Sequence, residues 1–147
     1  MTLVFPDPEL LVIDALRHYL GGEVERIYTV PPVDWADELP FISLAWRGGD
    51  ISRWPSRLQI TDMEIKAFAV ERRQGSELYR KAKAALERAC LEHFSNKGLP
   101  EVDRPGVLCH VREISPAGIE YEGLTSKHPD SCLFRGVLRV TSAPNIP

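Results

Sequence analysis

Only two stretches of this sequence have the periodicity of an amphipathic helix, and that small number constrains the fold more than any other feature. The first begins at Asp7 and Pro8, which suit the N-cap and the first helical position, and it ends at Gly21. The second is predicted over residues 77–94, with Ser76 as its cap and a stripe of mostly small residues on one side. The rest of the chain has the pattern of strands, in the order α, β, β, β, α, β, β. Two helices cannot cover both faces of a parallel sheet, so we predict an α+β fold with a mainly antiparallel sheet and two helices packed on one face.

The predicted strands are short and are separated by segments rich in proline and glycine. They cover residues 24–30, 41–46, 58–67, 107–114 and 133–140, with a short extra piece at residues 119–121. The apolar alternation changes phase at Thr61 and Asp62, which predicts a bulge or bend at that point. Residues 31–40 and 47–57 are predicted to be loops. Residues 142–147 are predicted to be a flexible tail on a single domain that spans residues 1–147.

Composition argues against several classes of protein. The chain has 147 residues and a net charge of -3, whereas a general nucleic-acid binder usually carries a basic stripe. No apolar run approaches the ~20 residues needed to cross a membrane, and the N-terminus lacks the basic region of a signal peptide. The three cysteines, Cys90, Cys109 and Cys132, are an odd number, which favours free and mostly buried thiols in a reducing compartment.

The histidines and cysteines form three pairs with metal-ligating chemistry. These pairs are Cys90 with His93, Cys109 with His110, and His128 with Cys132. None forms the short Cys-x-x-Cys knuckle that structural zinc sites favour, so we expect neither a metal nor another cofactor. We expect Cys90 to pack as a small apolar residue and His93 to lie near the inner face of its helix. The sequence also lacks a Gly-x-Ser-x-Gly elbow and a phosphate-binding glycine loop, so we expect no catalytic residues and no enzymatic activity.

Tryptophan and arginine residues in the two loops are the candidate binding residues. Both residue types are enriched where protein interfaces concentrate their binding energy. The candidates are Arg47, Arg53, Trp54 and Arg57 in the second loop, and Trp35 in the first. For Trp54 an interface and packing onto the core are equally open alternatives, whereas for Trp35 packing onto the core is slightly favoured.

Three segments of the chain together resemble a known family. They are the segment from Leu39 to Gly49 with its Pro-Phe-Ile and Gly-Gly features, the strand from Met63 to Ala69, and the helix over residues 77–94. In this order, over roughly residues 8–141, the chain resembles the tail terminator proteins of long-tailed bacteriophages, also called tail-to-head joining or tail completion proteins. In that family the helix usually begins directly after the strand with an alanine-rich turn, whereas residues 71–75 intervene here.

The resemblance implies a structural role in the virion. It implies a hexameric ring that caps the head-proximal end of the tail tube, ends tail polymerisation, and contacts the tail tube protein and the head-tail connector protein. It also implies assembly in the host cytoplasm, no membrane association, and a lumen through which DNA passes without sequence-specific binding. Two alternatives stay open: another head-completion or neck protein of the virion, and a small enzyme or metal-binding domain that uses the cysteines and histidines.

Overall fold

The computed structural model describes residues 5–23, 26–48, 58–124 and 126–145. Its elements in chain order are α1 (Pro8–Leu20), β1 (Ile27–Tyr28), β2 (Phe41–Gly48), β3 (Gln59–Ala69), α2 (Arg72–Leu91), β4 (Gly106–Glu122) and β5 (Cys132–Pro144), with 3₁₀ turns at Gly21–Glu23 and Trp35–Asp37. No helix within these ranges is long and apolar enough to span a membrane.

The described strands form one sheet in the order β1-β2-β3-β5-β4. Of these strands only β1 runs parallel to its neighbour, so the sheet is mostly antiparallel and the predicted α+β fold is confirmed. The two helices pack on each other and on one side of the sheet, which we call the helix face. The core between them is built from residues of both layers, among them Leu11, Leu16, Ile65, Leu86 and Leu138. The other side of the sheet, the open face, carries no helix in the described part of the chain.

The register of the strands assigns each residue to one of these two faces. Residues directly opposed across neighbouring strands point to the same side of a sheet. Leu44 opposes Ile65 on the helix face, and Ala45 opposes Glu64 on the open face. Charged residues that alternate along β3 and β5 are therefore brought together on the open face.

The start and the end of α1 agree with the sequence prediction. The Asp7 carboxylate accepts hydrogen bonds from the backbone N–H groups of Glu9 (3.0 Å) and Leu10 (3.3 Å), which satisfies donors that the first turn leaves unpaired. Pro8 takes the first helical position, where its missing N–H costs nothing. Gly21 follows the last helical residue with a φ of 57°, a conformation that glycine adopts without steric cost.

The start of α2 differs from the prediction. The helix begins at Arg72, so Ser76 is not its cap and lies inside the second turn. Gly75 allows this early start, because the helix passes so close to β5 that a Cβ at this position would lie 2.8 Å from a ring carbon of Phe134. A glycine near a helix start normally weakens the helix, and its role in packing becomes visible only once β5 is in place.

β3 has no bulge of its own, which corrects the prediction at Thr61 and Asp62. Its register with β5 is unbroken along the whole strand. The irregularity lies in β2, where Arg47 is the extra residue of a bulge between Trp46 and Gly48. The apolar pattern was misleading because polar Thr61 is fully buried on the helix face, so the change from apolar to polar residues does not mark a change of face.

The C-terminal strands are longer than predicted. β4 absorbs the short piece at residues 119–121 and shifts its register against β5 at several points along its length. β5 continues through Pro144, so the predicted flexible tail is wrong for residues 142–145. Ser142 is buried between two neighbouring strands, and the Asn145 N–H donates to the carbonyl oxygen of Pro105 at 3.0 Å. These backbone pairs hold a segment whose composition of small residues and proline is typical of a loop.

Candidate functional site

Two of the five candidate binding residues lie within the described part of the chain. Arg47 is exposed at the end of β2, and Trp35 is half-buried in a 3₁₀ turn before that strand. Arg53, Trp54 and Arg57 lie outside the described residues, so the two alternatives for Trp54 stay open. Arg47 and Trp35 both belong to the open face of the sheet, at opposite ends of β2.

Aromatic rings cover the end of the open face where Trp35 lies. The rings of Phe41 and Phe68 are stacked with centroids 4.5 Å apart. Trp35 lies beside Phe68 at 6.0 Å, and Tyr28 meets Phe41 edge-on at 5.6 Å. These distances are within the range of favourable aromatic pairs. Trp35 therefore packs against the aromatic end of the open face, outside the core that lies between the sheet and the helices, and an interface role for it stays a prediction.

A buried carboxylate lies at the centre of the open face. The Glu64 side chain is only 2% exposed, although no described helix covers this side of the sheet. Three cations surround it: Arg47 (2.9 Å), Arg135 (2.5 Å) and Lys66 (3.4 Å). Burial alone would raise the pKa of the Glu64 carboxyl, but the hydrogen bonds from the two arginines and the nearby Lys66 charge outweigh it and hold the pKa below its usual range. Glu64 is thus an ionised anchor that fixes cationic side chains above it.

A second carboxylate, Asp62, repeats this arrangement further along β3. Arg139 of β5 donates two hydrogen bonds to it, one from Nε at 2.9 Å and one from Nη2 at 3.2 Å. The hydrogen bonds and the charge of Asp62 raise the pKa of the Arg139 guanidinium further above its usual range. This two-point contact fixes the plane of the guanidinium, which a single contact would leave free to rotate.

The cations and carboxylates form one surface, which we call the cationic surface, in which Asp62 and Glu64 lie beneath arginine side chains and Glu120 is exposed. Its members are Arg47, Lys66, Arg112, Arg135 and Arg139 with Asp62, Glu64 and Glu120. The side chains of Arg47, Arg135 and Arg139 keep 38–56% of their area exposed, whereas Asp62 keeps 19%. The surface therefore presents guanidinium N–H donors that are already held in place, which lowers the entropy cost of binding a partner.

Most of this surface escaped the sequence analysis, which singled out Arg47 alone among its members. Charged residues alternating along a strand are ordinarily a solvated face, and no local motif distinguishes Asp62, Glu64 and Lys66 from that pattern. A signal was present in the opposite charges of two strands: β5 carries Arg135 and Arg139, four residues apart, and β3 carries Asp62 and Glu64, two residues apart, on the same face. Using that signal requires knowing that β3 and β5 are neighbours.

The cysteine and histidine pairs considered above as metal ligands are not brought together into a larger cluster among the described residues. Within the described ranges no group of three or more His, Cys, Asp or Glu residues is placed to hold a metal ion. Cys90 is buried as expected, and burial, with smaller effects from Cys109 and Glu87, raises its thiol pKa to about 11. A thiol with a raised pKa is a poor nucleophile and a poor metal ligand at neutral pH. His93 does not lie on the inner face of α2: it follows the helix end, exposed, with a φ of 51°.

A groove of about 790 Å³ runs beside the start of α1. Its described lining is Phe5, Pro6, Asp7, Pro8, Glu9, Leu10, Trp46, Gln59, Asp103 and Arg104. This lining holds no Ser, Thr, Cys, His or Lys, so it offers none of the usual pairs of a nucleophile with a base. The described lining offers carboxylates, a guanidinium and an amide as its polar groups.

No protein-family model matches the chain, and no curated protein sequence matches it.

Proposed function

We propose that this chain is a tail terminator of a long-tailed bacteriophage. In this role it is a structural virion protein that assembles as a ring, caps the head-proximal end of the tail tube and joins the tail to the head connector. The observation that carries the proposal is the open face, where one side of a rigid sheet bears fixed charged groups and no described helix. Such a surface suits contact with another protein, and the resemblance of the sequence supplies the partners.

The physical requirements of a terminator fit a small, rigid domain. A tail tube grows because each ring presents the next one with the same kind of surface. Growth stops when a different subunit binds the open end without recreating that surface, since a contact between unlike patches is open-ended unless it is capped. A terminator therefore needs binding surfaces and no catalytic group, and we propose that the chain is neither an enzyme nor a carrier of a cofactor.

The charge of the chain is compatible with a ring around DNA. A net charge of -3 and the pairing of cations with carboxylates on the open face leave little excess positive charge. A strongly basic lumen would hold DNA phosphates, whereas DNA has to slide through a connector. We propose passage of DNA without sequence-specific binding, and no contact with a membrane.

Another head-completion or neck protein of the virion is the alternative. It would share the ring geometry and the charged contact surfaces but would not touch the tail tube. Its loss would leave tails of normal length that do not attach to heads.

The proposal is tested by electron microscopy of lysates from a phage that carries an early stop codon in this gene. We expect free heads and unattached tail tubes of uncontrolled length. A synonymous change at the same codon is the matched control, and supplying the protein from a plasmid should restore joined particles. Tails of normal length attached to heads would contradict the proposal, and detached tails of normal length would favour the neck protein.

A further inference from the structure

The loop between β1 and β2 carries exposed apolar and acidic side chains together. We call residues 30–38 the acidic loop, because they contain Asp34, Asp37 and Glu38 and no lysine or arginine. Val30 is 78% exposed and Val33 is fully exposed, and the two prolines between them restrict the backbone. Neighbouring exposed apolar side chains with charged groups beside them have the composition of a small contact site, in which an apolar centre has a polar rim.

One carboxylate of the acidic loop has no ion pair within the described part of the chain. Glu38 pairs with Arg26 at 3.1 Å, and Asp37 pairs with Lys127 at 3.0 Å. Asp34 stands before the 3₁₀ turn at Trp35–Asp37, and its side chain makes no capping hydrogen bond there. Asp34 is therefore an exposed acceptor for a cation from elsewhere.

The cationic surface has a cation without an ion pair among the described residues, which matches the carboxylate of Asp34. Arg112 of β4 directly opposes Arg139 of β5, and like charges directly opposed across strands destabilise a sheet. Asp62 neutralises Arg139, but Arg112 has no ion pair with another described residue. A carboxylate placed over Arg112 from outside would relieve this repulsion.

The acidic loop of a molecule does not reach its own Arg112. Trp35, the residue after Asp34, packs at Phe68, whereas Arg112 belongs to the row of Asp62 through Arg139. Phe68 and Asp62 are six residues apart on β3, which corresponds to about 20 Å at the rise of a β-strand. The acceptor and the donor thus lie towards opposite ends of the open face.

We propose that the acidic loop of one copy docks on the cationic surface of a second copy. Asp34 then accepts hydrogen bonds from Arg112, while Val30 and Val33 lie against the half-buried apolar residues of the receiving face. This proposal rests on the proposed function, for which it supplies the contact between subunits. A nucleic acid fits the surface less well, because its phosphates have one sign of charge and would also meet Asp62 and Glu120.

The test uses two charge-reversed chains, Asp34→Arg and Arg112→Glu. Both sites are exposed and make no ion pair with another described residue, so both variants should fold, which circular dichroism checks. In sedimentation velocity up to millimolar concentration, we expect the wild type to self-associate and each variant alone to associate at least tenfold more weakly. An equimolar mixture of the two should recover the association, because the reversed loop of one chain meets the reversed surface of the other. Exposed Asp103→Arg and Arg80→Glu are matched controls that should associate like the wild type.

The outcomes separate this inference from the proposed function. The inference is overturned if the wild type is monomeric, if neither variant weakens the oligomer, or if the mixture does not recover the association. The same holds if the wild type binds labelled duplex DNA through Arg112 and does not self-associate. A recovered complex that stops at two copies would support the contact between copies but contradict a ring, and a larger closed oligomer would support both. If the stop-codon phage behaves as a terminator mutant while the charge reversals change nothing, only the inference fails.

Discussion

At the scale of single residues, Gly136 of β5 shows how closely α2 lies on the sheet. The Tyr79 hydroxyl packs over this glycine and donates a hydrogen bond to Glu113 at 2.8 Å. A Cβ at position 136 would overlap the hydroxyl, so Gly136→Ala has to push Tyr79 away. We expect a loss of about 2 kcal/mol in the free energy of unfolding, as is typical when a packed site is overfilled.

Gly118→Ala is the matched control in the neighbouring strand. A Cβ at Gly118 meets no atom within 4 Å, so its effect should stay within about 0.5 kcal/mol. Urea denaturation of both variants measures the difference, and equal effects would contradict the close packing of Tyr79 on β5.

Thr61 provides a second prediction at the scale of single residues, in which the substitution is expected to stabilise the fold. Its Oγ1 is buried on the helix face and has no hydrogen-bond partner among the residues that the structure describes. Thr61→Val keeps the shape of the side chain and removes the unpaired hydroxyl, so we expect a gain of about 1 kcal/mol in the free energy of unfolding. Thr141→Val, at a half-buried position on the open face, should change this free energy less. A clear loss of stability in Thr61→Val would show that the hydroxyl is satisfied in solution.

At the scale of elements, Glu64 links β2, β3 and β5 on the open face. Glu64→Gln removes the charge that holds Arg47 and Arg135, and we expect a loss of about 2 kcal/mol, as for hydrogen bonds to charged groups. Glu77→Gln is the control, because its pair with Arg73 is exposed and contributes little. Equal losses in the two variants would contradict the anchoring role of Glu64.

The same pairing predicts a pH dependence. The pKa of Glu64 is lowered on folding, so its contribution is fully present above the ordinary pKa of about 4.5 and is lost as the pH falls through the folded value. Glu64→Gln should therefore reduce the acid sensitivity of unfolding, measured by urea denaturation between roughly pH 3 and pH 7. An unchanged pH profile would contradict the lowered pKa.

The elements also show how far local sequence determines this fold. α1 was predicted at both ends because Asp7, Pro8 and Gly21 act within the helix itself. The start of α2 and the absence of a bulge in β3 were not predicted, because Gly75 and Thr61 take their roles from contacts with other elements. The strand at residues 142–144 was missed for the same reason: its residues are held by β3 and β4 and have little strand preference of their own.

At the scale of the whole molecule, the candidate site too was predictable only in its local features and not in the contacts between elements. Arg47 and Trp35 could be singled out as an arginine and a tryptophan in loops, and both lie on the open face. Arg47 belongs to the cationic surface because it pairs with Glu64, which also pairs with Arg135. These residues are distant in sequence and meet only through the order of the strands. An interaction surface built from several strands therefore has no local motif, whereas a catalytic or metal motif would be easier to find.

Closure of the head-proximal end of a tail tube is the role that we propose for this protein. The most direct measurement is cryo-electron microscopy of tail tubes from the stop-codon phage after addition of the purified protein. We expect a single ring of added density at the head-proximal end of each tube, and tubes that no longer lengthen. Tubes whose ends stay bare and keep growing in the presence of the folded protein would contradict it.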